Sequence, residues 1–378
     1  MQLDLGEDRY ARHRLITWWD QSKLLSSRVL VVGAGAIGNE VAKNLALVGI
    51  GHISIVDMDT IEHSNLARCA MFRNHHEGMY KAEVLAEQVA NLNPDVTTEA
   101  FVMPVQRLGI GKLQSFDIII GALDNREARV WTNQAARKLG KHWIDAAIEG
   151  LRGIVRTFAP EGVCYECTLT EADYKQMGHR RSCSLLAPEE MLSGKTPTNA
   201  TTAAIVSGVQ VQEAIKFLVG KPEMMSLVGK CWVYTGDSME TYLTGYRADE
   251  FCMAHDRYEA ILESGEKLST LQDIVDQAKQ VSDEEIIAID FEEDLIKLSA
   301  CANCGGEAVT KVRSSFGLGE GRCGTCGKDL TGETFSSMAI TDTALMNAPL
   351  SSFRFPISDV VTVRTENNRL HYLVEGAA

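Results

Sequence analysis

The stretch "VLVVGAGAIGNEVAKNLALVGI", residues 29–50, constrains this chain more than any other. A continuous apolar strand runs through Gly33, Gly35 and Gly38 into a helical pattern that sets Ile37, Val41, Leu45 and Val48 on one face. Strand, glycine turn and helix in that order let a backbone approach a phosphate and aim a helix N-terminus at it. Such a loop serves NAD, FAD and ATP alike, so it predicts a phosphate-bearing ligand and leaves the nucleotide open.

The alternation continues. "HISIVDMD" reads as a second strand, "YKAEVLAEQVANLNP" as a second helix and "FDIIIGALDN" as a third buried strand. Continuous apolar strands alternating with amphipathic helices predict an α/β fold, a doubly wound, largely parallel Rossmann-like sheet with functional residues at the carboxyl ends of its strands. After "KHWIDAAIEGLRGIVRTFAPEGVCYECTL" the strands turn antiparallel in character, an extension of that sheet. Residues 184–198, "SLLAPEEMLSGKTPT", form a polar loop, and the long helix "NATTAAIVSGVQVQEAIKFLVG" follows with Asn199 or Thr201 as its cap. Beyond residue 256 come a charged helix, "LSTLQDIVDQAKQVSDEEI", a cysteine-rich insert and the strand-like "SDVVTVRTENNRLHYLVEG". The expected organisation is an N-terminal helical segment at 1–28, a nucleotide domain at 29–256 and a smaller α+β domain with a zinc ribbon at 257–378.

Composition narrows the partners. The 378 residues, 45% of them hydrophobic, allow one large core and a smaller one. The excess of Asp and Glu (51) over Lys and Arg (37) gives a net charge of −14, which argues against nucleic acid and anionic membrane. The opening "MQLDLGEDRYARHRLITWWD" lacks a signal pattern, and no apolar run reaches the ~20 residues of a membrane span, so a soluble, cytoplasmic protein is expected. Ten cysteines in a reducing compartment point to metal and catalysis rather than disulfides.

The residues around the glycine loop choose the nucleotide. Asp57, with Asp59 beside it in "IVDMD", sits where an acid grips ribose hydroxyls, which fits both NAD and ATP. "NLAR" then supplies Asn65 and Arg68, Lys81 follows, and the strand ending in "ALDNREAR" offers Asp124, Asn125, Arg126 and Arg129. Hydride transfer has little use for several cations and a metal-binding carboxylate. Attack on the α-phosphate of ATP needs both, because negative charge spreads over the phosphoryl oxygens and the departing pyrophosphate. This assigns Arg68 and Lys81 to the phosphates, Asp124 to Mg²⁺ and Asp57 to the ribose.

Taken together, "GAGAIGNEV", "VDMDTIEHSNLAR", Lys81 and "ALDNREAR" resemble the adenylation domain of the ubiquitin-activating enzyme superfamily, which includes the ThiF and MoeB sulfur-carrier activators. The resemblance covers roughly residues 5–256. In that family an arginine of an N-terminal "RYxRQ"-type segment reaches the ATP of the partner subunit; "RYARHR" puts Arg12 at the matching position, with Arg9 nearby, which implies a homodimer with Arg12 acting in trans.

Two cysteine sets have metal-ligand spacing. "CANC" and "CGTC" give Cys301, Cys304, Cys323 and Cys326, two close pairs joined by a short loop, which matches tetrahedral zinc-ribbon geometry, with a redox or iron-sulfur role as the alternative. "CYEC" gives Cys164 and Cys167, one pair short of a site. The resemblance implies the missing pair after the long helix and its following strand, where this chain has Cys252 and His255, a CxxH in place of the usual CxxC. Imidazole is a good zinc ligand, so Cys164, Cys167, Cys252 and His255 form a second expected zinc site. Cys231 reads as a core residue, and Cys69 stays unassigned.

Cys183 remains, in "GHRRSCSLLAPEE", where His179, Arg180 and Arg181 favour thiolate over thiol. Its placement resembles the catalytic cysteine of the NEDD8- and SUMO-activating catalytic subunits. The resemblance implies a reaction in two halves. The C-terminal carboxylate of a ubiquitin-like protein attacks MgATP, and Cys183 then holds the partner as a thioester for a conjugating enzyme, with residues 184–198 steering the tail. Three rivals stand beside it: a sulfur-carrier adenylyltransferase that stops at the adenylate, an NAD-dependent oxidoreductase and a zinc-ribbon binding module. Two features depart from the thioester-forming relatives. There is no large separate cysteine domain, and no evident ubiquitin-fold domain unless residues 330–378 form a reduced one.

Overall fold

The computed structural model describes residues 8–182, 197–263, 268–298, 301–305, 310–312, 323, 325–328, 332–353 and 355–376. The chain divides into two units: one comprises the chain up to Val105 together with Ser115–Arg257, the other Gln106–Gln114 together with the chain from Tyr258 onward.

The first unit is built on a mixed eight-stranded sheet. Its strands are β1 (Arg28–Val32), β2 (His52–Val56), β3 (Thr97–Phe101), β4 (Ile118–Gly121), β5 (His142–Glu149), β6 (Arg152–Phe158), β7 (Lys230–Thr235) and β8 (Glu240–Gly245). They lie in the order β3-β2-β1-β4-β5-β6-β7-β8. Pairing is parallel from β3 through β5 and antiparallel from β5 through β8. The expected third strand is therefore the fourth. "TTEAF" forms β3 first, and it escapes the apolar pattern because it lies at the sheet edge with only Phe101 buried. Helices α1 (Ala36–Val48), α2 (Lys81–Leu92), α3 (Arg126–Lys138), α4 (Glu171–Ser182) and α5 (Ala200–Leu218) belong to this unit. Residues Val29, Val31, Val41, Leu45, Ile53, Ile55, Val84, Ile118 and Ile120 share its core, none more than 1% exposed. The Asn199 side chain caps α5 by accepting from the Thr202 N–H.

Strand β1 has β2 on one side and β4 on the other, so the connections leave it in opposite directions. That reversal opens a crevice at the carboxyl ends of β1, β2 and β4, the place where doubly wound sheets bind ligands.

The second unit has a six-stranded sheet of β9 (Ile261–Leu262), β10 (Ile286–Leu298), β11 (Thr310–Val312), β12 (Gly332–Ala339), β13 (Ser358–Thr365) and β14 (Arg369–Glu375). Long β10 pairs with β11, β12 and β13 and is bulged between Asp290 and Leu295. Helix α6 (Leu271–Val281) starts at a reciprocal cap between Thr270 and Asp273 and buries Leu271, Ile274, Val275 and Ala278, a 3.6-residue period. Residues beyond 330 do not form a domain of their own: β12 and β13 pair with β10, and β14 pairs with β9. A reduced ubiquitin fold confined to 330–378 is thereby excluded.

Gln106–Gln114 is sewn into this second unit by contacts that admit no side chain. Gly109 has φ +76°, and a Cβ there would lie 2.1 Å from the Ser358 carbonyl oxygen. The Ile110 N–H donates to Asp359 Oδ1 at 3.3 Å, and Ile357 N–H donates to the Arg107 carbonyl at 3.0 Å. Asp359 is buried, and desolvation, with the fields of Glu292 and Glu293, pushes its carboxyl up to about 8. Among the described residues no helix is long and apolar enough to cross a membrane.

Candidate nucleotide site and cysteine clusters

The three glycines differ in what they leave room for. Gly33 has φ +99°, and a Cβ would meet the Ala122 carbonyl oxygen at 2.5 Å. Gly38, in the first turn of α1, would put a Cβ 1.9 Å from the Gly33 carbonyl oxygen. These two are glycines for the fold's own sake. Gly35, the N-cap of α1, has nothing within 4 Å of its would-be Cβ, and no side chain caps the helix there. Open space in front of uncapped backbone N–H groups is a cradle of the kind that receives phosphate.

Asn39, which the sequence reading passed over, holds this loop. Buried in α1, it donates through Nδ2 to the Ala34 and Gly35 carbonyls at 2.8 and 3.1 Å and accepts the Met71 N–H at 3.0 Å. Nothing in the sequence marks it, because Asn39 falls on the opposite side of the helix from Ile37, Val41, Leu45 and Val48, where a polar residue is ordinary.

The acidic residue at the end of β2 is tied to the same loop. Asp57 accepts the Ala34 N–H through Oδ2 at 2.7 Å and the Asp59 N–H through Oδ1 at 2.8 Å. Burial raises its pKa against the pull of those donors and of Lys81. Lys81 opens α2 and donates from Nζ to Asp59 Oδ2 at 2.8 Å. Burial alone would lower the lysine pKa; the Asp59 hydrogen bond and the fields of Asp57, Asp59 and Asp124 outweigh it and raise it, so the ammonium keeps its charge. The charges of Asp57, Asp59 and Asp124 thus all reach Lys81 at the mouth of the crevice.

The remaining residues of the sequence motifs differ in what they touch. Asp124 is exposed just past β4, and Arg68 is half-buried, its Nη1 donating to the Ser64 carbonyl at 2.6 Å. Asn65 and Asn125 use their side-chain oxygens locally: Asn65 accepts the Glu62 N–H at 3.0 Å, and Asn125 caps α3 through the Ala128 N–H at 2.7 Å. Arg126 pairs with Asp173 at the start of α4, and Arg129 is buried against Asp145, so neither is a loose phosphate-facing cation. Near the N-terminus, Arg9 donates to the Leu92 carbonyl and Arg14 pairs with Asp8, whereas Arg12 is exposed.

Both cysteine sets converge. Sγ of Cys164 lies 3.7 Å from Sγ of Cys167 and 3.7 Å from Sγ of Cys252, and Cys167 Sγ lies 3.2 Å from His255 Nε2. Thiolates at ~2.3 Å from a tetrahedral zinc stand about 3.8 Å apart, so this spacing suits a shared cation. Burial pushes the Cys252 thiol up to about 12 and raises that of Cys164 as well.

In the second set Cys301 and Cys326 are 3.6 Å apart, and Cys304 and Cys323 are 3.4 Å apart. Each pair is followed by a glycine, Gly305 and Gly327, both at φ +69°, whose N–H bonds back to the carbonyl of the first cysteine. Backbone N–H groups of Asn303 and Cys304 lower the Cys301 pKa, and those of Cys326 and Thr325 bring Cys323 to about 6. Both four-residue sets could hold a zinc ion: each residue offers one ligand atom, and the four atoms of a set lie within 4.8 Å of one another.

Cys231 is buried, as expected of a core residue. Cys69 is also buried, and desolvation pushes its thiol up to about 11, which makes it a core residue too. Cys183 and the loop 184–196 lie outside the described residues.

Comparison with known proteins agrees with this geometry. Residues 8–250 match the model of the ThiF family. A SAMP-activating enzyme E1 of Haloferax volcanii is 33% identical over 255 residues, spanning 65% of this chain and 87% of that protein. A ubiquitin-like modifier-activating enzyme 5 of Dictyostelium discoideum is 27% identical over 269 residues, spanning 65% of this chain and 67% of that protein. Among solved structures, a crystal structure of E. coli MccB with ATP superposes with a TM-score of 0.56 at 22% identity, covering 67% of this chain and 75% of that one, a likeness of fold. The glycine cradle, the acid at the end of β2, the lysine that opens α2 and the family match together make this chain a member of the ThiF family, in the ThiF/MoeB-like ubiquitin-activating superfamily.

Proposed function

We propose that this chain is an ATP-dependent activating enzyme that adenylates the C-terminal carboxylate of a ubiquitin-like protein and then takes it as a thioester on Cys183. The observation that carries the reading is the open, uncapped Gly35 backbone beside the Asp57–Asp59–Lys81 cluster. Its fit to a nucleoside triphosphate is chemical: N–H groups and a charged lysine for phosphate, and a carboxylate for ribose hydroxyls.

In this reading Gly35 and the first turn of α1 receive the phosphates, Asp57 and Asp59 face the ribose, and Asn65 and Asn125 shape the loops around them. Lys81 and Arg68 face the α-phosphate and the departing pyrophosphate. Asp124 would hold Mg²⁺, which when bound draws charge off the phosphates. The substrate carboxylate oxygen bonds to the α-phosphorus as the bond to the bridging oxygen breaks, so pyrophosphate leaves and an acyl-adenylate remains. The Cys183 thiolate then bonds to the acyl carbon and AMP leaves with the electron pair, which gives the thioester. Arg12, exposed near the N-terminus, would serve the partner site of a homodimer. Two structural zinc ions would be held, one by Cys164, Cys167, Cys252 and His255, the other by Cys301, Cys304, Cys323 and Cys326. A conjugating enzyme would receive the thioester, and the cytoplasm is the expected compartment. The relatives named as activating enzymes of SAMP and of ubiquitin-like modifiers support the first half of this scheme.

The second reading is an adenylyltransferase for a sulfur carrier, favoured by the shortness of the insertion between Cys183 and α5. Purified protein, MgATP and a candidate ubiquitin-like protein separate the two. The thioester reading expects pyrophosphate exchange plus a thiol-sensitive adduct that Cys183→Ala abolishes. Exchange with no adduct, unchanged by Cys183→Ala, supports the second reading.

A further inference from the structure

Asp145 is fully buried in β5, and both of its carboxylate oxygens are taken by arginines. Arg129 Nε donates to Oδ1 at 3.0 Å, and Arg156 Nη2 donates to Oδ2. Two buried guanidiniums on one buried carboxylate leave an excess positive charge inside the protein, an arrangement that is costly for stability alone. The two arginines differ in what else they touch. Arg156 lies over the Tyr165 ring, 4.9 Å from its centroid, in the turn between Cys164 and Cys167. Arg129 Nη2 donates to the Leu123 carbonyl, the residue before Asp124, and to the Ala146 carbonyl at 3.1 Å.

We infer that Arg129, oriented by Asp145, is a positioning residue that fixes the loop carrying Asp124. The inference rests on the proposed role of Asp124 toward Mg²⁺. The side chain of Asp124 is exposed, and its loop crosses from β4 to the capped start of α3 within a few residues. A guanidinium clamped to a carboxylate that cannot move gives the Leu123 carbonyl a fixed donor, and thereby a fixed starting point for the metal-facing carboxylate. Groups behind a metal ligand set its orientation in this way.

The shared carboxylate supplies its own control. Arg129→Gln and Arg156→Gln each leave Asp145 paired with one remaining arginine, so both remove one charge from the same buried cluster. Only Arg129→Gln takes a donor from the Asp124 loop. ATP affinity is measured by calorimetry with and without Mg²⁺, and the ratio of the two affinities is compared after thermal melts have shown each variant folded. Arg129→Gln should cut the Mg²⁺-linked ratio by about tenfold or more, the usual effect of losing a group behind a metal ligand, while Arg156→Gln stays within about twofold of wild type. Arg129→Lys, which keeps the charge but not the fork, should fall between. Equal losses in the two glutamine variants, or an unchanged ratio in Arg129→Gln, overturn the inference. A wild-type protein with no Mg²⁺ effect overturns it together with the role of Asp124. A clear Mg²⁺ effect on ATP binding without any pyrophosphate exchange overturns the proposed adenylation reaction and leaves the positioning role supported.

Discussion

Gly35→Ala separates what the loop does for the fold from what it does for a ligand. In the folded protein the added methyl meets no atom within 4 Å, and the backbone φ of −74° is open to alanine. Losing glycine at an N-cap and gaining a stiffer unfolded chain act in opposite directions, so folding stability should stay within about 1 kcal/mol of wild type. The ligand meets a different surface. A phosphate oxygen bonded to a loop N–H sits about 2.9 Å from nitrogen, and a methyl group in that space pushes it out by roughly 1 Å. Losing a hydrogen bond to a charged phosphate costs about 1.5–3 kcal/mol, or roughly 10- to 150-fold in ATP affinity. Urea melts and ATP calorimetry on the same preparation read the two effects apart. Gly38→Ala is the counterpart: its Cβ would lie 1.9 Å from the Gly33 carbonyl oxygen, and overpacking of this kind costs about 1–3 kcal/mol of stability as well as affinity. If Gly35→Ala binds ATP as the wild type does, the open space is not a phosphate cradle and the site has been misread.

Three further predictions follow from particular groups. Elemental analysis of the purified protein should find about two zinc ions per chain, and His255→Ala or Cys164→Ser should lose one while Cys304→Ser loses the other; one variant emptying both sites would contradict two independent centres. Arg12→Ala and Lys81→Ala should each fall by at least about 100-fold in pyrophosphate exchange, yet mixing them should restore activity through dimers with one intact site; no recovery would rule out action in trans. Asp359, held near 8 when folded against about 4 when unfolded, keeps a proton that the unfolded chain has released over that interval. Stability should therefore fall as pH rises from about 4 to 8, and Asp359→Asn should flatten that slope and be the more stable protein at pH 8 in urea melts. A slope unchanged by the substitution would remove Asp359 from the account.

The parallel sheet and its crevice were legible because buried strands and covering helices leave strong apolar periodicities, as in "RVLVVGAG" and "FDIIIGALDN". Short-range chemistry was equally readable. The Cys-x-x-Cys spacing needs no tertiary information, and the glycine after each C-terminal pair, Gly305 and Gly327, is a further local signal of the same turn. Contacts between residues distant in sequence were hidden. Nothing in "REAR" distinguishes a phosphate-facing arginine from one clamped to Asp145, because the partner of this helix residue lies on strand β5. Asn39 hides inside an apolar helix for the same reason, and Gln106–Gln114 joins the second unit through Gly109 and Asp359, residues separated by most of the chain. Strand β3 was missed because an edge strand lacks the continuous apolar run of its neighbours.

The central claim is that the Gly35 cradle serves attack by a carboxylate on ATP. Pyrophosphate exchange into ATP, measured with a candidate ubiquitin-like protein bearing either a free or an amidated C-terminus, tests it most directly. Adenylation of the carboxylate predicts Mg²⁺-dependent exchange with the free C-terminus and none with the amide. Equal exchange with both forms, or hydride transfer to NAD with no exchange at all, would contradict it.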